Sequence, residues 1–148
     1  MTTNSKNRIE SEIEVALYLK DLVSALHHDK VRIKIQMSSY ANRDRDERYT
    51  NRFTINNLFP NEDIPTALKR ELKLVEIENY IETVVDREFP TKLEFRVFGK
   101  YYDDYVYIKM RVEQEGEHKN NPLVYLISFH YAMYKYHQND FPYKGEDE

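Results

Sequence analysis

The chain of 148 residues contains no cysteine and no tryptophan, and only three glycines and five prolines. The absence of cysteine excludes disulfide bonds, zinc–thiolate sites and a thiol nucleophile. No apolar run approaches the length of about 20 residues that a membrane-spanning helix needs. The first residues also lack the apolar core of a signal peptide. We therefore expect a cytoplasmic protein that does not enter a membrane.

Chemical motifs are also scarce. There is no H-E-x-x-H metal motif, no glycine-rich phosphate loop and no G-x-S-x-G nucleophile motif. His130 and His137 are further apart than the three or four residues that usually separate two metal ligands on one helix. Arg111 and His118 have the spacing of a ribonuclease motif found on helical HEPN domains, but here the motif starts on a predicted strand and crosses Gly116. We predict no catalytic residue, no metal ligand and no cofactor; a nuclease or hydrolase that uses His118 or His130 is the enzymatic alternative.

What the sequence does have is a high content of aromatic and charged residues. It contains 13 tyrosines and 7 phenylalanines, and 32% of its residues are charged. The aromatic content argues against disorder, and the length suits one domain with its own core. We predict a single domain over residues 1–148, in which residues 1–5 and 141–148 fray.

Hydrophobic periodicity predicts three helices and four strands. The first helix spans residues 6–28, the second begins at Pro65 and ends before Pro90, and the third begins at Pro122 and includes Met133. The predicted strands span residues 31–38, 48–55, 93–102 and 105–113. This pattern indicates an α+β two-layer sandwich of order α-ββ-α-ββ-α, with helices packed on one face of an antiparallel sheet. The third helix is apolar enough to form the central packing helix or a homodimer interface.

The first helix carries a stripe of apolar residues at intervals of three and four, which we expect to face the core. Its members are Ile9, Ile13, Ala16, Leu17, Leu19, Leu22, Val23 and Leu26.

The last two predicted strands form a hairpin around Asp103-Asp104. If these two residues make the turn, Tyr101 faces Val106 and Gly99 faces Ile108. Every aliphatic residue of the hairpin then lies on one face. The opposite face carries alternating basic and aromatic residues, namely Arg96, Phe98, Lys100, Tyr102, Tyr105, Tyr107, Lys109 and Arg111.

Charge is unevenly distributed between the elements. The four predicted strands carry eight basic and two acidic residues, whereas the rest of the chain carries 14 basic and 24 acidic residues. The first two strands add Arg32, Lys34, Arg48 and Arg52 to the basic-aromatic face. Tyrosine and arginine are enriched at protein–protein hot spots, and cations give orientation toward an acidic surface.

These features predict a small non-catalytic binding protein, acting as an inhibitor, adaptor or chaperone, that engages an acidic protein partner through this face. The density of asparagine, lysine and tyrosine suits a phage or mobile-element protein. A single-stranded RNA or DNA partner is the alternative, because rings can stack on bases while cations contact phosphates. The overall charge of −4 makes this alternative weaker.

Overall fold

The computed structural model describes residues 7–37, 46–85 and 94–145. The fraying predicted for residues 1–5 and 146–148 concerns residues outside these ranges. The helices are α1 (Glu12–His27), α2 (Asn51–Leu58) and α3 (Ile64–Leu72). The strands are β1 (Arg32–Ile35), β2 (Tyr80–Val85), β3 (Glu94–Tyr101), β4 (Tyr105–Glu113) and β5 (Leu123–Tyr131). Short 3-10 helices span Glu47–Tyr49, Ile77–Asn79, Gly116–His118 and Gln138–Asp140.

The five strands form one mixed sheet in the order β1-β5-β4-β3-β2. β1 runs parallel to β5, and the other neighbouring strands are antiparallel. The predicted α+β class is confirmed, but the sheet is not fully antiparallel and the order of elements along the chain is α-β-α-α-β-β-β-β. Among the described residues, no helix has both the length and the apolarity to cross a membrane.

The three helices pack on one face of the sheet. The main apolar core joins their buried side chains to alternate residues of β3, β4 and β5, including Phe98, Ile108 and Phe129. A smaller cluster on the other face contains Val84, Phe95 and Val97. Both faces of the sheet are therefore partly apolar, and this determines which side chains stay accessible.

The ends of α1 and the orientation of its apolar residues differ from the prediction. The helix begins after Ser11, whose hydroxyl accepts a hydrogen bond from the Glu14 amide, while the Glu14 carboxylate accepts from the Ser11 amide. Leu22 and Leu26 face the core as expected, but Ile13 and Leu17 are 73% and 57% exposed. The residues of the predicted stripe therefore lie on two different sides of α1, one buried and one exposed.

Three predicted elements have a different structure. Residues 48–55 form the 3-10 helix and most of α2 instead of a strand, because Thr50 caps α2 by accepting from the Phe53 amide at 3.2 Å. Among the described residues, the predicted helix after Pro65 is α-helical in α3 alone, and Tyr80–Val85 forms the edge strand β2, where its β-branched residues are favoured. Residues 86–89, the predicted end of that helix, lie outside the described residues. The predicted third helix is β5, a strand with neighbours on both sides and residues buried on both faces, which therefore has a continuous apolar run.

Side chains of α2 complete the hydrogen bonding of β5 beyond the short β1. Asn51 Oδ1 accepts from the Phe129 amide at 2.8 Å, and its Nδ2 donates to the Ile127 carbonyl at 3.0 Å. Thr54 Oγ1 accepts from the Tyr131 amide at 2.9 Å. These contacts fix α2 against the sheet and satisfy backbone groups that β1 does not reach.

Candidate binding surface

The register of the β3–β4 hairpin determines where the predicted binding residues lie. Tyr101 pairs with Tyr105, Gly99 with Tyr107 and Phe98 with Ile108. The turn therefore contains three residues instead of two, and the Tyr102 amide donates to the Asp104 carbonyl at 3.0 Å. The predicted register is wrong by one residue. Since a shift of one residue moves side chains to the other face, the predicted basic-aromatic face is divided between the two sides of the sheet.

Four predicted residues, all on β3 or directly after it, lie on the side covered by helices. Phe98 is fully buried, and its ring centroid is 6.2 Å from that of Tyr18 on α1. Tyr102 packs against Phe59 and Phe129, and burial raises the pKa of its hydroxyl. The other two are Arg96 and Lys100, with Lys100 Nζ 5.8 Å from the centroid of the Tyr102 ring.

Arg96 is held by a buried carboxylate. Its Nε and Nη2 donate to the two carboxylate oxygens of Glu10 at 2.9 and 3.1 Å, and Thr83 donates to the same carboxylate. Burial alone would raise the pKa of Glu10, but the hydrogen bonds from Arg96 and Thr83 outweigh it and hold the pKa below its usual value. This cluster ties the segment before α1 to β2 and β3.

Arg48 and Arg52 belong to the helical layer. The Arg48 guanidinium lies 4.3 Å from the centroid of the Tyr131 ring, and its Nη2 is 2.9 Å from an Asp104 carboxylate oxygen. Arg52 is exposed on α2, and its Nη2 is 3.4 Å from the Met37 carbonyl oxygen. Neither side chain lies on the opposite face of the sheet, which carries Phe95 and Val97 and is not covered by α1, α2 or α3. We call it the helix-free face.

The remaining basic residues come together on the helix-free face across β1, β5 and β4. Arg32 and Lys34 project from β1, beside Lys109 and Arg111 on β4, with β5 between the two strands. We call these four residues the basic strip. β1 and β4 are two strand spacings apart, about 10 Å.

Two rings that were not predicted as site residues lie beneath the cations. Arg111 Cζ is 5.3 Å from the centroid of the Tyr125 ring and 4.9 Å from that of Phe95. Lys34 Nζ is 5.8 Å from the Tyr125 centroid, and Lys109 Nζ is 5.7 Å from the Phe95 centroid. Tyr125 was missed because its segment was predicted to be helical, and Phe95 because it was assigned to the aliphatic face. The sequence of Leu123–Tyr131 lacks the alternation of a strand with one apolar face, so no signal in it placed Tyr125 on this face.

One end of the basic strip is ordered by His118. Arg32 Nη2 donates to His118 Nδ1 at 3.0 Å, so the Nε2 atom carries the ring proton of neutral His118. That Nε2 lies 3.3 Å from Glu113 Oε1, and Arg111 Nε donates to the other oxygen of Glu113. The predicted Arg111 and His118 pair is thus brought together through one carboxylate, in an arrangement that positions two guanidinium groups.

The C-terminal segment covers the other end of the helix-free face. The Tyr105 ring contacts Tyr136 and Phe141 at centroid distances of 5.3 and 6.0 Å. Gly99 allows this approach, because a Cβ there would lie 2.9 Å from a Tyr136 ring carbon. The fraying predicted from residue 141 onward does not apply to Phe141, which is 5% exposed.

Tyr107 and His130 form a second covered pair. Their rings stack at a centroid distance of 5.4 Å, and His130, which is 6% exposed, places its Nδ1 2.8 Å from the Tyr131 carbonyl. Tyr105 and Tyr107, proposed from the sequence as binding residues, are thus engaged in contacts within the chain.

Within residues 7–37, 46–85 and 94–145, no group of three or more histidine, aspartate or glutamate side chains is arranged to hold a metal ion. No protein-family model, no curated protein and no solved structure matches this chain.

Proposed function

We propose that this chain is a small non-catalytic binding protein that engages an acidic surface of another protein through the basic strip. The observation that carries the proposal is the convergence of Arg32 and Lys34 on β1 with Lys109 and Arg111 on β4, the two strands that flank β5 on the helix-free face. The chain as a whole has a formal charge of −4, so the strip is opposite in sign to the rest of the molecule. Such a local patch orients a partner of complementary charge.

The cations of the strip are held in place by their neighbours. Arg111 is fixed by Glu113, and Arg32 by His118. Fixed guanidinium groups lose less side-chain entropy when they bind a carboxylate, and their planar donors match its two oxygens. This arrangement favours recognition of aspartate and glutamate side chains on a folded partner or an acidic peptide.

The rings of this face favour a protein over a single-stranded nucleic acid. Stacking of a base requires an accessible ring face. Lys34 and Arg111 both lie against the Tyr125 ring, and Phe95 is fully buried beneath Lys109 and Arg111. These rings support the cations instead of forming a stacking platform.

The two histidines of the enzymatic alternative have contacts that suit structural roles. His118 joins Arg32 to Glu113, and His130 is buried against Tyr107 and the Tyr131 carbonyl. A binding protein without cysteine suits a reducing cytoplasm, where an inhibitor or adaptor of phage or mobile-element origin would act.

Binding of two labelled probes tests the proposal. Fluorescence anisotropy measures the dissociation constants of an oligoglutamate peptide and of an oligothymidylate of equal length. We expect the peptide to bind, and the double variant R32E/K34E to weaken its binding by about tenfold or more. The matched control K69E/K73E makes the same charge change on and beside α3 and is expected to leave peptide affinity within about twofold.

The salt dependence of the same titrations separates the two classes of partner. Tighter binding of the oligothymidylate, with a steep loss of affinity as salt rises, would replace the acidic protein with a nucleic acid. An oligoglutamate peptide that fails to bind, or that binds R32E/K34E as well as the wild type, would overturn the proposed surface.

A further inference from the structure

We propose that a second copy of this chain docks on the outer face of α1, forming a two-fold symmetric dimer in which the two α1 helices run antiparallel. Among the described residues, eight large apolar side chains are exposed, and four of them lie on α1 or just before it. These are Ile9, Ile13, Leu17 and Val23, which are 55, 73, 57 and 38% exposed. Exposed apolar side chains concentrated at one helix are typical of an interaction surface.

The geometry of α1 places Ile13 and Leu17 on the side of the helix that faces away from the sheet. Val15, Leu22 and Leu26 are fully buried against the sheet and define the inner face of the helix. At about 100° per residue, Ile13 and Leu17 lie on the opposite side. The helix has 16 residues, a length of about 24 Å, so its outer face is long enough to pair with another helix.

Charge complementarity identifies the second copy as the occupant. Glu12 lies at the edge of the outer face of α1 and Lys20 lies on that face; both are exposed, and neither forms an ion pair with another described residue. Lys20 lies almost directly above Ile13 on the helix surface, two turns further along.

An antiparallel arrangement satisfies both charges at once. With the two-fold axis between Ala16 and Leu17, Ile13 lies level with Lys20 of the second copy, and Glu12 comes beside its ammonium group. Ile9 then meets Val23 of the second copy. A parallel two-fold pair would place Glu12 opposite Glu12 and Lys20 opposite Lys20, so these two residues favour the antiparallel dimer.

The mass of the intact chain in solution tests this inference. Size-exclusion chromatography with light scattering, over a series of concentrations, is expected to show a dimer for the wild type and a monomer for I13K/L17K. Both substituted positions are exposed, so the monomer is expected to keep the circular dichroism spectrum of the wild type. The control L74K/M133K places two lysines at exposed apolar positions away from α1 and is expected to remain a dimer.

Charge exchange tests the direction of the helices. E12K and K20E are each expected to weaken dimerisation, and E12K/K20E to restore it, because the exchange rebuilds both ion pairs in reversed form. A wild type that stays monomeric at the highest concentration, or an I13K/L17K variant that stays dimeric, would overturn the second copy as the occupant. Failure of E12K/K20E to restore the dimer would overturn the antiparallel arrangement. Neither outcome bears on the basic strip, which lies on the other side of the sheet.

Discussion

Arg96 and Glu10 form a bidentate ion pair beneath the helical layer, with donor–acceptor distances of 2.9 and 3.1 Å, and the Glu10 side chain is 4% exposed. Removing one partner of a buried pair leaves the other charge without compensation. We expect R96M to lower the free energy of unfolding by about 2–4 kcal/mol, measured by urea denaturation. R52M removes an exposed arginine of α2 and is expected to change the free energy of unfolding by less than about 0.5 kcal/mol. Equal midpoints for R96M and R52M would show that the pair contributes nothing.

The same carboxylate makes the fold sensitive to acid. The pKa of Glu10 lies below its usual value, against the effect of burial, because of Arg96 and Thr83, and the hydrogen bond from Arg8 lowers the pKa of Glu94. A depressed pKa contributes stability that is fully present above the unfolded-state value of about 4.5 and is lost as the pH falls through the folded-state value. We expect the free energy of unfolding to fall below about pH 4.5, and to fall less steeply in E10Q. Identical pH profiles for E10Q and the wild type would contradict this assignment.

The absence of cysteine allows the hairpin register to be tested by engineered disulfides. Cross-strand partners have Cα atoms about 4.5–5.5 Å apart, within the range that a disulfide spans. Tyr101 and Tyr105 are partners, whereas Val106 is buried on the other face. We expect Y101C/Y105C to oxidise readily under mild conditions and Y101C/V106C to keep free thiols, as measured by thiol titration. The reverse result would support the register with a two-residue turn that was predicted from the sequence.

Gly99 makes room for the C-terminal segment. A Cβ at this position would lie 2.9 Å from a Tyr136 ring carbon and 3.1 Å from Phe141. We expect G99A to lower the free energy of unfolding by about 1–3 kcal/mol and to speed proteolysis within residues 132–145, because the rings must move. No described atom lies within 4 Å of a Cβ added at Gly145, so G145A serves as the control. If G99A is cleaved no faster than G145A, the segment does not depend on this contact.

The parts of the fold that the sequence predicted are those with one dominant period. Strict alternation placed β1, β3 and β4, and the three- and four-residue spacing placed α1. The buried strand β5 was mistaken for a helix because it is covered on both sides and lacks alternation. β2 was mistaken for a helix because its Ile81, Val84 and Val85 continue the spacing of the leucines in α3.

The hairpin register could not be derived for a related reason. The prediction assumed that the hairpin has one buried apolar face and one face exposed to solvent. In the structure the helices cover Phe98 and Ile108 on one side, while the C-terminal segment and the β2 edge cover Gly99 and Val97 on the other. Both registers therefore bury apolar residues, and a turn of two aspartates without glycine does not choose between them. The four residues of the basic strip share a face, and Tyr125 lies between Lys34 and Arg111 on that face. This position of Tyr125 depends on pairing between strands far apart in the sequence, which local patterns do not reveal.

The most direct test of the basic strip is to follow the arginine Nε–H signals by NMR while the oligoglutamate peptide is added. Arg32 and Arg111 belong to the strip, whereas Arg96 lies under the helices and Arg70 is on α3. We expect the signals of Arg32 and Arg111 to shift in proportion to the bound fraction, while those of Arg96 and Arg70 stay unchanged. Shifts at Arg96 or Arg70, with none at Arg32 and Arg111, would contradict binding at the helix-free face.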